Sequence, residues 1–182
     1  MPNIPYASIE TAESEEIRAL LEAIKERRGG KALNLDRMLV HSPPFAEGWN
    51  IFFRKVRREL SLDAKLRELA ICAVGVINGA DYEVRQHVPV FHEAGGTPDQ
   101  ITSLYNIDDA VNDAENFNAA ERAIIRLSIE MTRNVKPTME TLDAVKAVLP
   151  GTQQVMEAIS VIAAYNMVSR ILLTTGVDME EE

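Results

Sequence analysis

Cysteine occurs once in the 182 residues, as Cys72. A single thiol forms no internal disulfide, so a reducing compartment suits the chain. Basic charge is also short. Nineteen Lys and Arg stand against 28 Asp and Glu, for a formal net charge of −9. A polyanion would be repelled overall, and nonspecific nucleic-acid binding needs Lys and Arg to displace counterions. No nucleic-acid partner is expected. The one basic cluster, "RKVRRE" from Arg54 to Glu59, is short and helical. It reads as a solvated helix face or an anchor for a small anion. Uninterrupted apolar runs stay below the ~18 residues a membrane span needs, so no membrane partner is expected. The opening "MPNIPYASIE" has neither a basic start nor an apolar stretch, so it predicts no signal peptide. The expected location is cytoplasmic. No run of β-branched residues alternates with polar ones between turn signals, so no strand is predicted.

What is present is helical periodicity. The hydrophobic share is 46 % and the charged share 26 %, ordinary for a globular chain. The length suggests one domain, 1–182, with its own core. In "SEEIRALLEAIKERRGG", Ile17, Leu20, Leu21 and Ile24 form one stripe, with acids first, bases last and Gly29-Gly30 as the stop. This is an N-terminal extension helix within 1–34. After Ser42-Pro43-Pro44, the residues Trp49, Phe52, Phe53, Val56 and Leu60 share a face. Ser61 or Asp63 can cap the next helix, which Asn78-Gly79 interrupts. The helix resuming at Ala80 contains Pro89, which predicts a kink or early end. Thr97, Pro98 and Gln100 form a capping box, and Asn118 with Glu121 forms another. "NIDDAVNDAEN" reads as a polar connector. The last helix, Thr152 to Thr175, is apolar on most sides and predicts burial in a core or subunit interface. "VDMEEE", 177–182, reads as a solvated acidic tail. The expected architecture is all-α, seven or eight helices joined by short loops.

The stretch from Glu68 to His87 carries the candidate chemistry. On a helix Ala80, Glu83 and His87 cluster on one face, and Glu83 to His87 is an i,i+4 step, so those side chains can touch. Glu68, Cys72, Gly75 and Gly79 share a face of the preceding helix. A fold-back at Asn78-Gly79 would bring Glu68 to Glu83 and His87. A carboxylate near a histidine can raise the imidazole pKa, and two carboxylates together can raise one carboxyl pKa; either shift suits proton transfer near neutrality.

"RELAICAVGVINGADYEVRQHVPVFHEAGGT" resembles the core of the carboxymuconolactone decarboxylase and alkylhydroperoxidase-D (AhpD-like) superfamily, with the core motif at about 61–104. "LVHSPPFAEGWNIFFRKVRREL", "NAAERAIIRLSIEMTRN" and "YNMVSRILLTTGVDME" are similar to flanking helices of the larger members, so the resemblance spans 35–180. It implies an all-helical bundle assembled as trimers or hexamers, with the site near subunit contacts. The peroxidase branch carries a Glu, then eleven residues, Cys-x-x-Cys, three residues and a His. Glu68 and His87 match its Glu and His, while Ala80 and Glu83 occupy the cysteine positions. The dithiol route needs an attacking thiolate and a resolving thiol, so that chemistry is not expected. Cys72 reads as a buried small hydrophobe.

The "Tyr-Glu-x-x-x-His" form, Tyr82 to His87, is similar to the cysteine-free members. The resemblance implies a lyase that decarboxylates a small carboxylated lactone or related keto acid without cofactor or metal. His87 would be the general acid, Glu68 its orienter or relay, and Glu83 a tuner of His87 or a holder of water. Arg85 and Arg67 would meet developing negative charge, and Tyr165 would line the pocket. A metal set of Glu68, Glu83 and His87, and a non-enzymatic binding module that keeps the fold, are the alternatives.

Overall fold

The computed structural model describes residues 1–8, 10, 12, 14–27 and 30–180. Gly29 of the expected helix stop and Glu181-Glu182 of the tail lie outside the described residues. Among the described residues there are ten helices and no strand. In order they are α1 (Glu15–Arg27), α2 (Asn34–Leu39), α3 (Pro43–Arg58), α4 (Ala64–Asn78), α5 (Asp81–Glu93), α6 (Pro98–Leu104), α7 (Ile107–Ala110), α8 (Ala119–Asn134), α9 (Met139–Val148) and α10 (Thr152–Thr175). The count exceeds the expected seven or eight. The additions include α2 and the single turn α7, which forms inside the expected polar connector. Helices this short carry little periodicity to read.

The chain divides into two compact units, Met1–Glu59 with Leu172–Glu182, and Leu60–Ile171. In the first, α1 buries Ile17, Leu21 and Ile24, with Leu20 half-buried. Helix α3 buries Trp49, Phe53 and Val56. Phe52 is 43 % exposed and Leu60 follows the helix end, so the inward aromatic stripe is narrower than expected. The tail is not simply solvated through residue 180. Glu180 Oε1 accepts from the backbone N–H of Asn34 at 2.8 Å, and Asp178 N–H donates to Tyr6 Oη at 2.6 Å. Asn34 opens α2, where first-turn N–H groups lack partners within the helix. A nearby carboxylate therefore gains a hydrogen bond there.

In the second unit, α4 is the central rod. Leu69, Cys72 and Ala73 on it pack with Phe91, Leu104, Ile107, Ala110, Phe117 and Ile125. Asp63 caps α4 by accepting from Leu66 N–H at 3.1 Å. Ser61 turns elsewhere and donates to Glu157 Oε2 at 2.9 Å. Both predicted capping boxes form, at Thr97–Gln100 and Asn118–Glu121. Helix α5 continues through Pro89 to Glu93. By length and composition α10 could cross a membrane, but 61 % of its most apolar 18-residue window is buried within the chain. A core helix of this kind passes the same test.

Candidate active site

The site begins with the turn between α4 and α5. Gly79 takes φ +68°, a left-handed conformation that costs glycine little. Its N–H and that of Ala80 bond back to the last turn of α4, and Ala80 N–H reaches the Gly75 carbonyl at 2.8 Å. This is the hydrogen-bonding logic of a helix stop with glycine just past the end. Helix α5 starts at once and folds back along α4. The approach is close at Gly75, where a Cβ would come within 2.8 Å of Val84 Cγ2.

That fold-back brings Glu68 to His87. His87 Nδ1 lies 2.7 Å from Glu68 Oε2, and Arg67 Nε donates to Glu68 Oε1 at 3.0 Å. Glu68 is 1 % exposed. Burial pushes its carboxyl up, yet the hydrogen bond and charge of His87, joined by those of Arg67, leave it below the ordinary value. An ionised carboxylate only accepts. The Nδ1 hydrogen therefore points to Glu68, and Nε2 is the nitrogen available to take up or deliver a proton. The Tyr165 ring meets the His87 ring edge-on, with centroids 5.0 Å apart at 89°. The imidazole is thus held by a carboxylate on one side and an aromatic ring on another.

Glu83 does not join the pair. Its Oε2 lies 3.1 Å from Ser169 Oγ on α10, and its Oε1 is buried without a hydrogen-bond partner. Ser169 Oγ also lies 3.0 Å from the Tyr165 carbonyl oxygen. A hydroxyl has one hydrogen, and a carbonyl can only accept. That hydrogen serves either the Glu83 carboxyl oxygen or the Tyr165 carbonyl. Burial pushes the Glu83 carboxyl well above its ordinary value, and the Ser169 contact only partly opposes this. Burial thus favours the uncharged form of Glu83. Sequence periodicity placed Glu83 and His87 on one face correctly but could not show that a serine from a distant helix competes for the carboxyl.

The remaining candidates fall in different places. Arg67 is committed to Glu68. Arg85 is exposed on α5, two residues from the buried Glu83. Cys72 is fully buried, and burial together with the Glu68 and Glu83 carboxylates pushes its thiol up. A thiol so held is a poor nucleophile. Among the described residues no group of three His, Cys, Asp or Glu is placed to hold a metal ion, so the alternative metal set is not assembled. Ser169 was the residue missed. Its signal was a hydroxyl among the few polar residues in the apolar stretch of α10.

The sequence model of the carboxymuconolactone decarboxylase family matches residues 43–125, from the start of α3 into α8. The fold-back and the Glu68–His87 pair lie inside that span. Residues 43–125, a little under half of the chain, are thus similar to that family. Solved structures of other proteins share the fold of this chain. An uncharacterized peroxidase-related protein from Silicibacter sp. TM1040 superposes with a TM-score of 0.77 at 16 % identity, over 98 % of this chain and 90 % of that one. An AhpD-core peroxidase-related protein from Ralstonia eutropha JMP134 gives 0.78 at 15 %, over 99 % and 93 %. A variant of the debrominase Bmp8 in complex with 2,3,4-tribromopyrrole gives 0.73 at 12 %, over 98 % and 91 %. No curated protein matches significantly. Ala80 and Glu83, which the sequence resemblance sets against the dithiol positions, are 1 % and 2 % exposed.

Proposed function

We propose that this protein belongs to the carboxymuconolactone decarboxylase/AhpD-like superfamily and is a cofactor-free lyase that decarboxylates a small carboxylated lactone or a related keto acid by proton transfer through His87. The observation that carries the reading is the buried Glu68–His87 hydrogen bond of 2.7 Å, braced by Arg67. In the reaction the bond from ring carbon to carboxylate breaks and CO₂ leaves. Its electron pair passes into the conjugated carbonyl as a dienolate, and the carbon is then protonated. His87 Nε2 delivers that proton while Glu68 fixes the ring's orientation and stabilises the charge it carries. Glu83, pushed toward its uncharged form by burial, is held by Ser169 beside the pair's helix. Arg85 and Tyr165 remain the substrate-facing candidates.

Four cavities of 270 to 400 Å³ lie elsewhere, and none of these four is lined by Glu68, Glu83 or His87. His87 reaches the surface through a side chain that is 13 % exposed. The proposal therefore includes a neighbouring copy that completes the pocket, in a trimer or hexamer as the superfamily resemblance implies. An outward stripe on α10 with exposed Met156 and Met167 supports such a contact.

The same cavity observation favours one other reading, an oligomeric binding module that keeps the fold without turnover. One experiment separates them. CO₂ release is followed over a panel of small carboxylated lactones and β-keto acids, with the wild type and His87→Ala at matched helicity. The lyase reading expects turnover that falls by at least about 10²-fold in the variant. Turnover unchanged by the substitution removes His87 from the mechanism, and none across the panel supports the binding module.

A further inference from the structure

The Glu68–His87 pair makes no use of a cavity of about 400 Å³ bounded by α8, α9 and the segment that follows α7. Its walls are fixed from behind. In the segment after α7, Asp113 accepts from Ser103 Oγ at 2.7 Å, and from the backbone N–H and side-chain amide of Asn116 at 3.0 and 2.8 Å. Between α8 and α9, Glu130 accepts from Thr141 Oγ1 at 2.6 Å and from Thr138 N–H at 2.6 Å. The cavity is thus pre-formed, as small-molecule sites usually are.

Its lining divides into an apolar part and three charges. Val111, Ala119, Ala123 and Ala144 give short apolar walls that leave room for a ligand body. Arg122 and Arg126 stand one turn apart on α8, and Glu140 lies in the first turn of α9. Arg122 Nη1 donates to the Phe117 carbonyl oxygen, which uses one of the several donors of its guanidinium. Arg126 and Glu140 are exposed, and among the described residues neither side chain makes a hydrogen bond or an ion pair. Arg126 meets Glu130, one turn on, through charge alone, and Glu130 is already committed to Thr138 and Thr141. A cation and an anion therefore line one cavity without pairing. A ligand of single charge is attracted by one of them and repelled by the other. A ligand carrying both signs gains from each, and a guanidinium fork fits the paired oxygens of a carboxylate.

We propose that this cavity binds a small amino acid as its zwitterion. The carboxylate meets Arg126 and Arg122, the ammonium meets Glu140, and the carbon chain lies against the alanines. Neither Glu68 nor His87 lines the cavity, so the proposal stands apart from the lyase reaction.

Methyl spectra of the full-length protein, labelled at alanine, test this. Leucine and ε-aminocaproate represent an α- and an ω-amino acid, while caproate and hexylamine carry one charge each. The expected result is a saturable shift of the Ala119, Ala123 and Ala144 methyls with at least one amino acid. That amino acid should bind about fivefold or more tighter than either singly charged compound. Tighter binding of leucine assigns an α-amino acid, and tighter binding of ε-aminocaproate an ω-amino acid. The two charges are then removed separately at these exposed positions, where substitution leaves the fold intact. Arg126→Gln should weaken the amino acid about fivefold or more without weakening hexylamine. Glu140→Gln should weaken it by a similar factor without weakening caproate. No saturable shift, a singly charged compound that binds as tightly as both amino acids, or unchanged affinity in either variant overturns the proposal.

Discussion

Glu68 and Glu83 project from adjoining helices at 1 % and 2 % exposure, yet their carboxyls are shifted in opposite directions. Burial acts on both and favours the neutral form in each. The difference lies in what each carboxyl touches. Glu68 receives His87 on one oxygen and Arg67 on the other. Glu83 meets a single hydroxyl, and its second oxygen is unpartnered. Burial alone therefore does not set the charge of a carboxyl; the number and charge of its hydrogen-bond partners decide whether desolvation wins. The two form a graded pair, one drawn toward its charged form and oriented toward an imidazole, the other pushed toward its neutral form by burial. Separating two carboxyls in this way is how one small site can hold both a charged orienting group and an uncharged lining.

Replacing each carboxyl by its amide gives the largest expected contrast. Glu68→Gln removes a charged acceptor from both Arg67 and His87. It should cost about 2 kcal/mol at neutral pH, the scale of a hydrogen bond to a charged group. Glu83→Gln keeps shape and neutrality, and its amide can donate to Ser169 Oγ as the protonated acid does. At neutral pH it should be at least as stable as the wild type. Urea denaturation of the two variants measures this. Equal losses in both would erase the distinction between the carboxyls.

The titration of stability sharpens the contrast further. Glu68 has its folded value lowered, so its contribution is present above the unfolded value and is lost as pH falls through the folded one. Glu83 has its folded value raised. Its contribution is complete below the unfolded value and is lost as pH rises toward the folded one. Between those limits the unfolded chain has released a proton that the native chain holds. The slope is then about −1.4 kcal/mol per pH unit for one group. Glu83→Gln should remove this slope on the alkaline side of the unfolded carboxyl value, and Glu68→Gln should remove the acid-side loss. Unfolding midpoints from pH 3 to pH 8 compare the limbs, and a Glu83→Gln profile parallel to the wild type would mean that Glu83 is ionised.

Much of this arrangement was legible in the sequence because it rests on local rules. The break at Gly79, the Asp63 cap, the boxes at Thr97 and Asn118 and the length of α10 all follow from residue types at fixed offsets. The Glu68–His87 contact was legible as a consequence of a fold-back between two well-marked helices. What failed to show was competition. Glu83 can reach His87 by helix spacing, but Ser169 is 86 residues away and approaches from another helix. Periodicity along one helix carries no information about which neighbour arrives. The tail failed for the same reason. Its acids read as solvated until Asn34, 146 residues earlier, presents an N–H to Glu180.

Ser169→Ala is the smallest perturbation and the one that reads the proton on Glu83 most directly. With a neutral acid, the serine accepts from Glu83 and donates to the Tyr165 carbonyl. Its loss strands one O–H and should cost about 1 kcal/mol, the net worth of an ordinary hydrogen bond. An acid that stays neutral at both pH 5 and pH 7 makes that cost the same at the two. With an ionised Glu83, the serine would instead donate to a buried charge. The penalty would then be about 1.5–3 kcal/mol and would grow as pH rises and the unassisted charge must form. A double-mutant cycle with Glu83→Gln gives the coupling between the two residues at each pH. A coupling that is small and flat with pH fits the neutral pair; a large one that rises with pH would make both carboxyls of the site anionic and remove the asymmetry between them.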